Sequence, residues 1–217
     1  MDNWNYISKK RKRTTKDDKE EEEEEKDFTK EFRKNGILKE GNITSSNNHI
    51  FFYSEVNKTS MYELNTELQS VAQKMLEVGN KYGIDPPPIH LHINSYGGSI
   101  FAAMSTIDTI INSPVPVYTI VEGCAASAGT LISVVGAKRF ITSHSYMLIH
   151  QLSTVFWGKM QEFEDEKENL DNLMKMIKNI YKKHTKVPAK QLDEILKHDL
   201  WWDADTCLKY KLIDEIN

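Results

Sequence analysis

The sequence predicts an α/β fold, in which parallel strands are joined by crossover helices. Three observations carry this reading. Short apolar runs of strand character recur between Ile50 and Val121. Each is followed by a segment whose apolar residues recur every three or four positions. Glycines and prolines separate the two kinds of segment, so the order reads β-α-β-α-β-α.

Ile50-Phe51-Phe52-Tyr53 is apolar and aromatic and reads as the first strand. Ser60-Met61-Tyr62-Glu63 has the S-x-x-E form of a capping box, which satisfies free N–H groups at a helix start. Met61, Leu64, Leu68, Val71 and Met75 then form one face of an amphipathic helix that ends near Gly83. Pro86-Pro87-Pro88 breaks the chain, and Ile89, Leu91 and Ile93 alternate with His90, His92 and Asn94 as in a strand. After Gly97-Gly98, the spacing of Ile100, Met104, Ile107 and Ile111 predicts a helix that stops before Pro114. Val115–Val121 reads as a strand and Ser127–Val135 as a helix. Lys138–Thr142 and Tyr146–Ile149 are two further short strands. A long polar-rich helix is expected over about Lys159–Lys183, with Phe163, Leu170, Leu173, Ile177 and Ile180 at helical spacing. Pro188 opens a short helix, and Asp203 caps a last one.

Composition narrows the function classes. The 217 residues suit one domain with an appendage. No stretch reaches the roughly 18 apolar residues of a membrane helix, so no membrane partner is expected. The first twenty residues hold no apolar core of secretory type, so no signal peptide is expected. Two cysteines, Cys124 and Cys207, cannot build a disulfide framework or a four-thiolate zinc site, and they point to the cytoplasm. A net charge of −4 gives no whole-molecule attraction to nucleic acid.

Residues 1–40 hold equal numbers of basic and acidic side chains, sorted into the blocks Lys9–Arg13 and Glu20–Glu25. Few apolar residues interrupt them, so burial cannot offset the entropy of ordering. The expectation is a charged, flexible N-terminal tail over 1–40, helical near Glu20–Lys34, and a folded domain over 41–217. Lys9–Arg13 has the composition of a nuclear-localisation signal, and a solvated tail neutralised by its own acidic block is the plainer reading.

Three places carry residue types suited to chemistry. In Glu122-Gly123-Cys124-Ala125-Ala126-Ser127-Ala128-Gly129-Thr130, a serine sits between a strand and a helix among very small side chains. That meets the physical requirement of a nucleophile elbow, although the G-x-S-x-G spelling is absent. A Ser/Ala/Gly-rich helix start that only packs closely would read the same way. His150 closes the strand Tyr146–Ile149 and should lie at the sheet rim, where sites in α/β folds collect. It could equally be a rim histidine bonded to a backbone carbonyl. Asn94-Ser95-Tyr96-Gly97-Gly98 leaves backbone N–H groups approachable, which suits an oxyanion or a phosphate. No G-x-G-x-x-G or Walker lysine accompanies it, so nucleotide binding is the weaker choice. His90 and His92 share a strand face, but two imidazoles without a third ligand make a weak zinc argument. Acids are plentiful, and Asp199 stands out only by preceding Leu200-Trp201-Trp202.

Taken together, Ile93-Asn94-Ser95-Tyr96-Gly97-Gly98, Gly123-Cys124-Ala125-Ala126-Ser127 and Met147-Leu148-Ile149-His150-Gln151 resemble the successive signatures of the Clp protease proteolytic subunit, the ClpP family of serine peptidases. The likeness runs from about Ile50 to Ile216. It implies a ClpP/crotonase-like spiral of β-β-α units with a protruding handle helix, placed at about 159–183 after Gly158. It implies a serine endopeptidase with Ser127 as nucleophile, His150 as base and Asp199 as acid, and with the backbone N–H groups of Gly98 and Ala128 as oxyanion donors. No metal or organic cofactor is implied. The implied partners are protein or peptide substrates, further copies of the chain in stacked rings, and an AAA+ unfoldase ATPase.

The chain departs from the family pattern in places. Tyr96 stands where the family usually has proline, and Lys211 replaces a customary glycine. His90, His92 and Asn112 lie where many members place aromatic or apolar residues of the partner-docking pocket. The tail does not resemble the family's axial-gate segment. These departures bear on unfoldase docking more than on peptide hydrolysis. Two other readings remain: a noncatalytic ring subunit or assembly scaffold, and a crotonase-type acyl-CoA enzyme that shares the fold and a backbone oxyanion hole.

Overall fold

The computed structural model describes residues 43–217, and the tail expected over residues 1–40 lies outside the described residues. In chain order the elements begin with β1 (Ile43–Ser46), β2 (His49–Phe52), α1 (Lys58–Tyr82), β3 (Ile89–Ser95), α2 (Ile100–Ile111), β4 (Val117–Ala126) and α3 (Ala128–Val134). They continue with β5 (Lys138–Ile141), β6 (Tyr146–Leu148), α4 (Met160–His184), α5 (Ala189–Ile195), β7 (Trp201–Trp202), α6 (Ala204–Lys209) and β8 (Glu215–Ile216).

The alternation predicts parallel strands, and the body of the sheet is parallel, with antiparallel pairs added at two places. Strand order is β1-β2-β3-β4-β5-β8, and every neighbour from β2 onward is parallel. β1 pairs antiparallel with β2, and β7 antiparallel with β6. β3 is buried at Ile89, Leu91 and Ile93, while the alternate residues His90, His92 and Asn94 are partly exposed on the other face. The α1 stripe of Met61, Leu64, Leu68, Val71 and Met75 is buried, and every residue of α3 is buried. Each fully buried Leu, Ile or Met contributes roughly 1.5–3 kcal/mol.

The start of α1 differs from the sequence reading. The helix begins at Lys58, and its N-cap is Asn57. Asn57 accepts from the Ser60 amide at 2.9 Å, and the Ser60 hydroxyl accepts from the Asn57 amide at 3.0 Å. Ser60 is therefore the second member of the box and not its first, because asparagine caps as well as serine does. The helix ends where expected, at Gly83 in the left-handed conformation. The strand expected over Val115–Val121 begins two residues later and runs on to Ala126. It changes partner on the way. β4 pairs with β5 up to Val121 and with β6 from Cys124 onward. Gly123 turns at the change with φ +76°, and its amide donates to Ser145 Oγ at 2.6 Å. The small and polar residues at this kink hide the strand's second half from a reading by hydrophobic pattern.

No helix among the described residues is long and apolar enough to cross a membrane. Among the described residues α4 is buried in its C-terminal half, at Ile177 and Tyr181, whereas Met160 and Phe163 in its first turns are exposed.

Candidate active site

Ser127 is placed by the second half of β4 and by α3. Its backbone takes φ 54° and ψ −121°, a conformation rare for any residue with a Cβ. Three main-chain bonds fix it there. Its amide donates to the Leu148 carbonyl on β6 at 2.9 Å, and its carbonyl accepts from Thr130 at 3.1 Å and Leu131 at 3.4 Å. The Ser127 hydroxyl caps no amide of α3. The chain thus spends a serine at a helix N-terminus without using it as a cap.

His150 lies two residues beyond β6. The next amide, Gln151, donates to the Leu196 carbonyl at 2.7 Å and ties this segment to the end of α5. The β6–β7 ladder pairs Met147 with Trp202 and Leu148 with Trp201. That ladder carries the segment preceding Trp201 alongside the one following Leu148, and Asp199 Oδ1 meets His150 Nδ1 at 2.9 Å. The carboxylate side chain is 61% exposed and the imidazole 23% exposed, so water reaches this pair. A carboxylate on Nδ1 fixes the ring's orientation and leaves Nε2 free to act elsewhere.

The Gly98 amide comes from a separate loop. Val56 donates to the Gly97 carbonyl at 2.8 Å and accepts from the Ser99 amide at 2.7 Å, which holds the Gly97–Ser99 backbone extended. Between these two bonds, the Gly98 N–H has no hydrogen-bond partner among the described residues, and neither does the N–H of Ala128. Gly98, Ser127, Ala128 and His150 border one cavity of about 30 Å³, lined also by Leu131 and Tyr181. Ser127 Oγ and His150 share that cavity but make no hydrogen bond with each other in the single chain.

The histidines weighed as metal ligands are otherwise engaged. His92 Nδ1 meets Glu122 Oε1 at 2.7 Å, His92 Nε2 meets His49 Nδ1 at 2.8 Å, and His90 stacks on His49 at 4.7 Å between ring centroids. Tyr53 donates to the other Glu122 oxygen. Burial, then the His92 charge, push His49 below the ordinary imidazole range, and burial, then His49, do the same to His90. Tyr53 is pushed up to about 12, by burial first and Glu122 second. Among the described residues no group of three or more His, Cys, Asp or Glu could hold a metal ion. Two contributors at the site escaped the sequence reading, Val56 and the Leu148 carbonyl. Both act through backbone atoms that every residue type except proline carries, so no sequence signal marks them.

A family model described as Clp protease matches residues 40–217. The chain is 32% identical over 130 residues to an ATP-dependent Clp protease proteolytic subunit of Deinococcus radiodurans, across 59% of this chain and 64% of that protein. It is 38% identical over 132 residues to the subunit of the same name from Streptococcus mutans, across 59% of this chain and 67% of that one. The match therefore spans about two thirds of these relatives' length. Among solved structures, the ClpP1 N165D mutant from Listeria monocytogenes superposes with a TM-score of 0.68 at 22% identity, over 79% of this chain and 91% of that one. That likeness shows the fold, a mixed α/β arrangement like that of ClpP1.

Proposed function

The chain belongs to the Clp protease family, and from that premise we propose that it is a serine endopeptidase working inside an oligomeric ring chamber. The observation that carries the proposal is the single cavity bordered by Ser127, His150 and the two unpaired amides, with Asp199 on the far nitrogen of His150.

A serine hydroxyl is a weak nucleophile until a neighbouring base takes its proton. In the proposed cycle His150 removes that proton through Nε2 as Ser127 Oγ attacks the scissile carbonyl. Asp199 holds the imidazole and stabilises its cation. The carbonyl oxygen becomes an oxyanion facing the Gly98 and Ala128 amides. Losing one such donor typically costs roughly 3–4 kcal/mol of transition-state stabilisation. His150 then returns the proton to the departing amine, leaving an acyl-enzyme on Ser127. Water, deprotonated by His150, attacks the acyl carbon, the ester bond to Ser127 Oγ breaks, and His150 returns the proton to that oxygen as the product acid leaves. Every proton moves through a side chain of this protein, so the cycle calls on no metal or organic cofactor.

The substrates in this reading are protein or peptide chains, and the remaining partners are copies of the chain and an AAA+ unfoldase. We assign the exposed residues Phe156 and Trp157, just before α4, and Phe163, in its first turns, to contact between rings, with α4 as the handle. A fluorophosphonate should label Ser127, and Ser127→Ala should abolish both labelling and peptide cleavage. Labelling that persists unchanged in that variant would sink the assignment.

One observation favours a second reading. The missing hydrogen bond between Ser127 Oγ and His150 suits a noncatalytic ring subunit. Purified protein that assembles into rings yet neither reacts with fluorophosphonate nor cleaves any peptide would select it.

A further inference from the structure

We propose that Tyr96 is a positioning residue, whose ring on Trp201 couples the loop bearing the Gly98 amide to the segment bearing Asp199. The inference rests on the peptidase reading and adds to it how two of its parts are held in register.

The two parts come from distant points in the chain and share no hydrogen bond in the structure. Gly98 follows β3, and its neighbours Gly97 and Ser99 are bonded to Val56 and, through the Gly97 amide, to Ser95 Oγ at 3.1 Å, with no bond to the Asp199 segment. Asp199 lies just before β7, which pairs with β6 alone. β7 is two residues long, so its ladder holds the preceding segment weakly. The Tyr96 and Trp201 rings meet edge to face, with centroids 6.3 Å apart and planes at 88°. Tyr96 is two residues from Gly98, and Trp201 is two residues from Asp199. Leu148, the strand partner of Trp201, is two residues from His150 and accepts the Ser127 amide. The aromatic contact therefore links the oxyanion loop directly to the acid segment, beside the loop's own packing on Ser127.

Exposure points to the same role. Tyr96 is 78% exposed and Trp201 42% exposed, so neither ring is held by the core. The Tyr96 hydroxyl makes no hydrogen bond among the described residues, which leaves the ring as the working part. Edge-to-face pairs are favourable beyond their buried area because the positive ring edge meets the negative face. A contact of this kind acts on geometry, and geometry at the oxyanion donor affects the transition state more than the bound ground state.

The test is steady-state peptide cleavage and fluorophosphonate acylation by assembled wild type, Tyr96→Ala, Trp201→Ala, the double variant and Tyr96→Phe. Tyr96→Ala should lower kcat and the acylation rate about threefold to tenfold, the size of one aromatic pair, with KM held within about twofold. Trp201→Ala should lose as much, the double variant should lose no more than either single one, and Tyr96→Phe should restore wild-type rates. A loss confined to KM would make Tyr96 a substrate contact and overturn the proposal, as would additive losses or unchanged rates in an active enzyme. Wild type that neither acylates nor cleaves would overturn the peptidase reading itself, a result distinct from active wild type with indifferent variants. Tyr96 and Trp201 are surface residues, so matching thermal unfolding across the set confirms that rates are compared between folded proteins.

Discussion

Gly97→Ala offers a quantitative test of how tightly the proposed nucleophile is wedged. Gly97 has φ +91°, and a Cβ built on it would lie 2.6 Å from the Ala126 carbonyl oxygen, 2.8 Å from Ser127 Cβ and 3.0 Å from the Ala128 amide nitrogen. Two costs add. An L-residue in this backbone region costs about 1–3 kcal/mol. Forcing a methyl group into a filled space costs about 1–3 kcal/mol more. Gly83 separates the two, because it too has positive φ, +64°, but a Cβ there meets nothing within 4 Å. Gly83→Ala should therefore carry the strain alone. In urea denaturation Gly97→Ala should fall below Gly83→Ala by the packing part, on the order of 1–3 kcal/mol. Relief of the clash requires Ser127 to recede by about half an ångström, and a 1 Å misplacement of a reacting group costs roughly a hundredfold. Fluorophosphonate labelling of Gly97→Ala should accordingly slow by about tenfold or more, while Gly83→Ala labels at the wild-type rate. Equal stability of the two variants, with wild-type labelling in both, would refute the claim that Gly97 is the wedge.

Asp199→Asn should lower kcat/KM by about ten- to a hundredfold, the range of one hydrogen bond to a charged group, read in peptide cleavage. Wild-type cleavage in that variant would remove Asp199 from the site. Lys211 sits at φ 55°, where a side chain is strained, so Lys211→Gly should raise unfolding stability by about 0.5–1 kcal/mol in urea. A destabilised variant would show that the lysine side chain contributes more than its backbone costs. Burial before any other cause lowers His49, His90 and His184 in the folded chain. A folded pKa below the unfolded value gives stability that is present above about pH 6.5 and lost as pH falls through the folded pKa. The urea midpoint should therefore drop between pH 7.5 and 5.5, before the depressed carboxylates Asp193, Asp203 and Asp214 begin to protonate. A His49→Gln, His90→Gln variant should show a shallower drop, and an equal drop would assign the effect elsewhere.

The parts of the fold that were legible in the sequence are those with a long period. β3 announced itself through Ile89, Leu91 and Ile93, and α1 through its stripe from Met61 to Met75, because burial of one face imposes a repeat. β7 and β8, at two residues each, and the four-residue β1, mostly exposed, impose no readable repeat. At the site, the family resemblance implies Ser127 and His150 through its motifs and Asp199 through its place before Leu200-Trp201-Trp202, and the structure brings His150 and Asp199 into contact. Sequence spacing could not supply the partner change at Gly123, the Val56 bridge beside Gly98, or the Tyr96–Trp201 contact, since each joins segments far apart in the chain. The long helix was expected from its spacing, yet Phe163 in that spacing is exposed. Periodicity marks an apolar face without saying whether the same chain covers it.

The backbone at residue 127 has a further consequence. Its dihedral angles suit glycine better than any residue with a side chain. A lineage shaped only by the need to fold and assemble would gain by discarding the hydroxymethyl group there. Ser127→Gly should melt at a higher temperature than the natural chain, and that gain would measure how much robustness the molecule forgoes to keep an oxygen atom at this position.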